Sequence, residues 1–284
     1  MKKGFYLLLV GGLILSACGS SNEESNQDNT INTQANEETT AETEETSTSQ
    51  ETDDLLNVDL SDESLSQAEW TEAFEVQEKA IDYEIEEVSY AWSDGSINLS
   101  NLSHYALITN TGKGSIYVNP LSVTFYNDDG SVITKSEMGL SASPEIINEG
   151  ESSLIDTLEQ GDIEDIETFD FAKLKYEVFF SPQKALDLTA ENVKFDTDQF
   201  VSATAVIKNE TNIDATEEIK GSIIFFDGDN NFIGGVSSSI DSLESGEQGG
   251  FEAFYPNFPD TEKQNIESAE VLINFVDLYG ENDF

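Results

Sequence analysis

The sequence predicts an all-β protein, two tandem β-sandwich domains behind a disordered acidic linker, and three observations carry that prediction. Between residues 81 and 275 apolar side chains recur at every second position in run after run, the period of a strand that buries one face. Three blocks of the first half return in the second half in the same order. Ahead of both, residues 19–54 are dominated by Ser, Asn, Gln, Thr and Glu, with Ile31 their only large aliphatic side chain. Such a segment buries too little to offset the entropy of ordering it.

At the N-terminus, Lys2 and Lys3 precede an apolar run over residues 5–15, which ends in Leu15-Ser16-Ala17-Cys18. A basic start, a short apolar stretch and small residues before a cut make a secretory signal peptide. A run of this length reaches about 16 Å as a helix, short of the roughly 30 Å hydrocarbon core. The closing tetrapeptide resembles the lipobox of bacterial lipoproteins, whose Cys is acylated on sulfur before the peptide is cut in front of it. The resemblance implies a signal peptide over residues 1–17, lipidation at Cys18 and a membrane anchor, two acyl chains being enough for stable attachment. It also accounts for the position of the chain's single cysteine. The plainer alternative is an ordinary signal peptide with an incidental Cys18. Gly19 and the acidic spacer resemble Gram-positive surface lipoproteins, which places the chain on the extracellular face of the cell membrane.

Residues 18–64 follow as lipidated Cys and linker. Repulsion between the carboxylates extends residues 19–54, to roughly 120 Å at full stretch. The segment reads equally as a stalk and as a solubilising tail. Over residues 65–74, Ser66 with Glu69 three positions on forms a capping-box pattern for a short helix whose Trp70, Ala73 and Phe74 supply a packing face. Alternation then begins: Ile81, Tyr83 and Ile85, with Val88, Tyr90 and Trp92 resuming after an expected bulge at Glu86-Glu87. Further runs are Tyr105-Leu107-Thr109, Leu121-Val123-Phe125, Val201 to Ile207, Ile219 to Phe225 and Val271-Ile273-Phe275.

The repeat sets the domain organisation. Residues 121–133 lie against 221–233 without a gap, 106–110 against 205–209, and 147–151 against 243–247. Two domains follow, 65–181 and 182–284, each of ordinary size for one sandwich. Ser181-Pro182 marks the boundary, because proline resists continuing a strand. Each copy resembles the FxLYD-type domain of bacterial secreted and lipid-anchored proteins, an immunoglobulin-like β-sandwich. The residues that carry the resemblance are Asn110 and Asn209 at strand ends, the aromatic strands 123–127 and 223–227, and the Gly-Glu segments 147–151 and 243–247. In the first copy Asn127 stands where the pattern has Asp, and the loop over 135–147 is longer. The motif is structural, so the resemblance implies no catalytic residues.

Composition limits the chemistry. The chain carries 58 acidic and 12 basic residues, a net charge of −46, and every basic residue is Lys. So acidic a surface repels nucleic acid. One His and one Cys are too few for a protein zinc site, and no disulfide forms within the chain. His104 is readable as a general base, a metal ligand or, most plainly, a satisfied surface histidine. Residues 110–115 superficially resemble a phosphate loop but lack its first Gly, its spacer and a following helix, and read as a hairpin loop. Asp227-Gly228-Asp229-Asn230-Asn231 has the spacing of the first calcium-loop ligands, yet Phe232 and Ser238 occupy the positions that need Gly and Glu. An acidic hairpin is the simpler account. No Gly-x-Ser-x-Gly elbow is present. In residues 254–259, Tyr255 and Phe258 read either as a recognition patch shared with Trp70 or as a loop packed beneath the second sandwich.

The expected function is therefore non-enzymatic, without metal or cofactor: a lipid-anchored binding or scaffolding module at the cell envelope, for protein or cationic partners. The alternatives are a passive spacer or surface-charge element and an accessory component of an envelope hydrolase or transporter. Because crowded carboxylates repel one another, salt or millimolar calcium should raise the melting temperature without a dedicated site. A melting temperature that stays put between low salt and millimolar calcium would contradict this.

Overall fold

The fold is given by a computed structural model, which describes residues 54–277 apart from 59, 61, 63, 95–98, 165, 199 and 256–257. Cys18, the signal peptide and the linker through residue 53 lie outside the described residues. The described chain is all-β and antiparallel, with a helix, α1 (Gln67–Glu78), ahead of the strands. Ser66 caps it: its hydroxyl accepts from the Glu69 amide while the Glu69 carboxylate accepts from the Ser66 amide, the full capping box. Trp70 and Phe74 stack on one helix face, and Phe74 meets Phe180 edge-on.

The strands are β1 (Tyr83–Asp94), β2 (Leu99–Asn110), β3 (Ser115–Asn127), β4 (Val132–Ser136), β5 (Ala142–Ser143), β6 (Ile146–Ile147), β7 (Ser152–Gly161), β8 (Phe169–Ser181), β9 (Leu186–Asp187), β10 (Thr189–Asp196), β11 (Val201–Lys208), β12 (Ile219–Phe226), β13 (Phe232–Ile240), β14 (Gln248–Tyr255) and β15 (Ser268–Phe275); a short helix α2 (Asp260–Lys263) precedes the last. Sheet β1-β2-β7-β5 faces a sheet in which β3 is flanked by β4 and β6 on one side and β8 on the other. Sheet β13-β12-β15-β9 faces sheet β10-β11-β14.

Between the first pair of sheets lies a core built on Leu102, Ala106, Ile108, Val123, Phe125 and Ile155. The second core does not stop at its own pair. Tyr105, Leu107 and Leu154 join Ile223, Phe225 and Phe251 in one cluster. Sheet β1-β2-β7-β5 is thus covered on both faces, by the β3 sheet on one side and the β12 sheet on the other. This contact needs a glycine: a Cβ at Gly235 would stand 2.8 Å from Leu154 Cδ2 and 2.7 Å from the Ile223 carbonyl. Ser143 and Ser222 add reciprocal bonds, each hydroxyl donating to a carbonyl across the contact, at 2.9 Å to Gly221 O and 2.6 Å to Ser143 O.

Two-sided burial corrects the expected bulge. β1 pairs with β2 in unbroken register from Tyr83 to Asp94. The apolar phase changes because Ile85 packs on the first core whereas Val88 and Tyr90 pack on the second. Residues 110–115 are likewise no hairpin loop. They carry the chain from β2 in one sheet to β3 in the facing sheet.

The repeated blocks make matching hydrogen bonds. Asn110 Nδ2 donates to the carbonyls of Gly114 (2.8 Å) and Ile147 (2.9 Å), and Asn209 Nδ2 to those of Ile213 (2.8 Å) and Leu243 (2.9 Å). The amides of Gly150 and Gly246 return to Asn110 O and Asn209 O. Both glycines sit at φ 79°, the left-handed conformation this turn demands. Glu151 and Glu247 close their turns by accepting, at 3.2 Å, from the amides of Asn148 and Glu244.

Candidate functional site

The singled-out residues do not gather in one place. His104, expected at the surface, is fully buried on β2. Its cross-strand neighbour Ser89 lies 2.8 Å from Nδ1. Glu87 Oε1 approaches Nε2 at 3.3 Å, close enough for an ion pair but outside hydrogen-bond geometry. The three resemble a serine–histidine–acid set, but the imidazole is fully buried and lines neither groove described below. Its visible effect is to place a polar group among Leu102 and Ala106.

The Asp227 segment is a turn held by its own first carboxylate. Asp227 Oδ1 accepts from the amides of Asp229 (2.9 Å) and Asn231 (2.8 Å), and Asn231 Nδ2 donates to both carboxylate oxygens. These bonds, the Asn231 side chain foremost, hold the Asp227 carboxyl below the ordinary carboxylate range. Asn230 takes φ 62°, as Gly130 takes 81° in the corresponding first turn. Among the described residues, no group of three or more His, Cys, Asp or Glu side chains comes together around a common point.

Phe258 belongs to the core, with Tyr90, Tyr105 and Phe225 around it; it does not belong to a surface patch. The Tyr255 side chain lies outside the described residues. Trp70 donates its indole N–H to Leu60 O at 3.1 Å.

What sequence reasoning missed is the junction between the halves. Glu151, from the Gly-Glu turn, shares a cluster with Asp187 of β9. Asn148 Nδ2 donates to Asp187 Oδ1 (3.1 Å) and to Ala185 O (3.0 Å), while Asn274 Nδ2 reaches Ile146 O (2.9 Å) and Glu151 Oε2 (3.3 Å). Burial, then the hydrogen-bonded carboxyl of Asp187 and its charge, push the Glu151 carboxyl up to about 7. Nearby on the same contact, Asp156 accepts from the Ser237 hydroxyl, and burial keeps its carboxyl above the usual range. A groove of about 580 Å³ runs along the junction, with Tyr117, Pro144 and Phe179 from the first half and Glu218, Lys220 and Phe275 from the second. A shallower basin of about 300 Å³ is lined by Asp196, Asp198, Phe200, Ser202 and Phe254.

No family model matches the chain, and no curated protein matches it. Among solved structures, a calcium-binding mutant of Bacteroides uniformis β-glucuronidase 2 is 12% identical over 66% of this chain and 27% of its own, with a TM-score of 0.17. The chain thus spans about a quarter of the length of that structure. A tandem CBM22 domain from Paenibacillus barcinonensis Xyn10C is 11% identical over 70% of this chain and 86% of its own, with a TM-score of 0.14. At such scores neither likeness carries an argument.

Proposed function

We propose that the chain is a lipoprotein, acylated at Cys18 and held on the extracellular face of the cell membrane, that acts as a non-enzymatic binding or scaffolding module. Its two tandem immunoglobulin-like domains, 65–181 and 182–284, stand beyond the acidic linker. The observation that carries this proposal is Leu15-Ser16-Ala17-Cys18 directly behind a basic start and a short apolar run. No helix among the described residues is long and apolar enough to cross a membrane. The burial of His104 beneath two sheets supports a role in folding for the one imidazole.

The test is metabolic labelling with an alkyne fatty acid in a bacterial host. Wild type should take up label and partition into the detergent phase, whereas C18S should lose both. An equally labelled C18S chain would refute the anchor. Envelope extract passed over the full chain should then yield a partner that an equally acidic control does not retain.

A further inference from the structure

The outer face of the β3 sheet departs from the rest of this acidic surface. Along β8 the outward side chains are Phe171, Lys173, Lys175, Glu177 and Phe179, all exposed. Opposite them on β3 stand Tyr126, Thr124, Ser122, Asn119 and Tyr117. Tyr126 stacks on Phe171 with ring centroids 4.9 Å apart, and Tyr117 on Phe179 at 6.5 Å. Two aromatic pairs therefore bracket two lysines, about 26 Å from end to end at strand rise. Several lysines elsewhere stand against carboxylates, such as Lys113 on Glu149 and Lys220 on Glu145. Lys135, on β4 beside Thr124, pairs with Glu137. Lys173 and Lys175, like Lys184 and Lys194, have no such partner among the described residues.

In a chain of net charge −46, two such lysines two residues apart on one exposed strand face, between aromatic pairs, form a local basic spot. Among the described residues β8 pairs only with β3, so it is an edge strand. Lysines on an edge strand also discourage stray strand pairing, but that purpose is ill served by leaving Phe171 44% and Phe179 47% exposed on the same strand. Exposed rings in a row with cations between them are the complement of a linear polymer that carries anions and presents apolar C–H faces.

We propose that this face binds an anionic polysaccharide, with Lys173 and Lys175 receiving its carboxylates and the two aromatic pairs taking sugar rings. The proposal deepens the binding-module reading and rests on it. A membrane surface fits less well, because docking there would press the Glu177 carboxylate, held only by a 3.5 Å bond from Asn119, onto apolar lipid. Sugar hydroxyls would satisfy it. An acidic peptide would leave the rings without flat apolar partners. The net charge favours cationic partners for the remaining surface, and this face is the local exception.

The test uses the full chain in detergent, with polygalacturonate as probe beside neutral dextran, polyglutamate and anionic phosphatidylglycerol vesicles. Retention on polygalacturonate alone, falling as salt rises, is the expected result. K173E/K175E and F171A/F179A should each weaken it about tenfold or more, with K173Q/K175Q intermediate and its melting curve unchanged. The proposal is overturned by absent retention, by equal retention of both lysine variants, or by polyglutamate or vesicles binding as well as polygalacturonate. Any of those results would leave the anchor reading standing, since that rests on the acyl label at Cys18.

Discussion

Replacing Asn209 with alanine should destabilise the protein by about 3 kcal/mol, and Asn110→Ala should do nearly as much. Both asparagines are fully buried. Asn209 donates to two carbonyls and accepts at Oδ1 from the Thr211 amide (3.1 Å) and hydroxyl (2.6 Å). Truncation leaves those groups without partners, each costing about 1–3 kcal/mol if water cannot replace the side chain. Partial relaxation brings the sum down to the stated figure, a fall in melting temperature of roughly 6–12 °C for a fold of this size. Urea denaturation followed by tryptophan fluorescence reads the loss. Two alanine variants melting within 2 °C of wild type would show that water substitutes for the clamps.

These clamps mark how far the sequence can be read. Asn110 and Asn209 were visible as repeated residues, and the alternation around them gave the all-β class. What they bond to was not visible, because Ile147 and Leu243 lie more than thirty residues downstream. The β1 phase change has a specific cause. Alternation by itself implies one buried face per strand, whereas sheet β1-β2-β7-β5 is buried on both. The same assumption put His104 at the surface. Phe258 showed the opposite difficulty: an aromatic between prolines looks alike whether it faces solvent or fills the space beside Tyr90 and Tyr105. On β8 only the register with β3 shows that Tyr117 and Tyr126 stack on its two exposed phenylalanines.

The Glu151–Asp187 pair was equally hidden, since the two meet only through packing, and it gives the second large effect. Glu151→Gln should stabilise the protein by about 1–2 kcal/mol at pH 8 and leave it unchanged near pH 4.5. The sign follows from linkage. An acid whose folded pKa lies at about 7 against an ordinary 4.5 holds more protons folded than unfolded across that window. Stability therefore falls as pH rises from about 4.5 through 7. The whole shift corresponds to about 3 kcal/mol, roughly halved because the carboxyl is only partly removed from water. Glutamine keeps an oxygen to accept from the Asn148 amide and Asn274 Nδ2, and its NH₂ can donate to Asp187. Asp156, also raised by burial, adds a slope of the same sign, so the measurement is the difference in melting temperature between wild type and variant across pH 4.5–8. The matching Glu247→Gln change controls for loss of the turn bond alone. A Glu151→Gln difference that is flat across that range would show that Glu151 stays ionised beside Asp187, and the repulsion invoked here would then be screened by water at the junction groove.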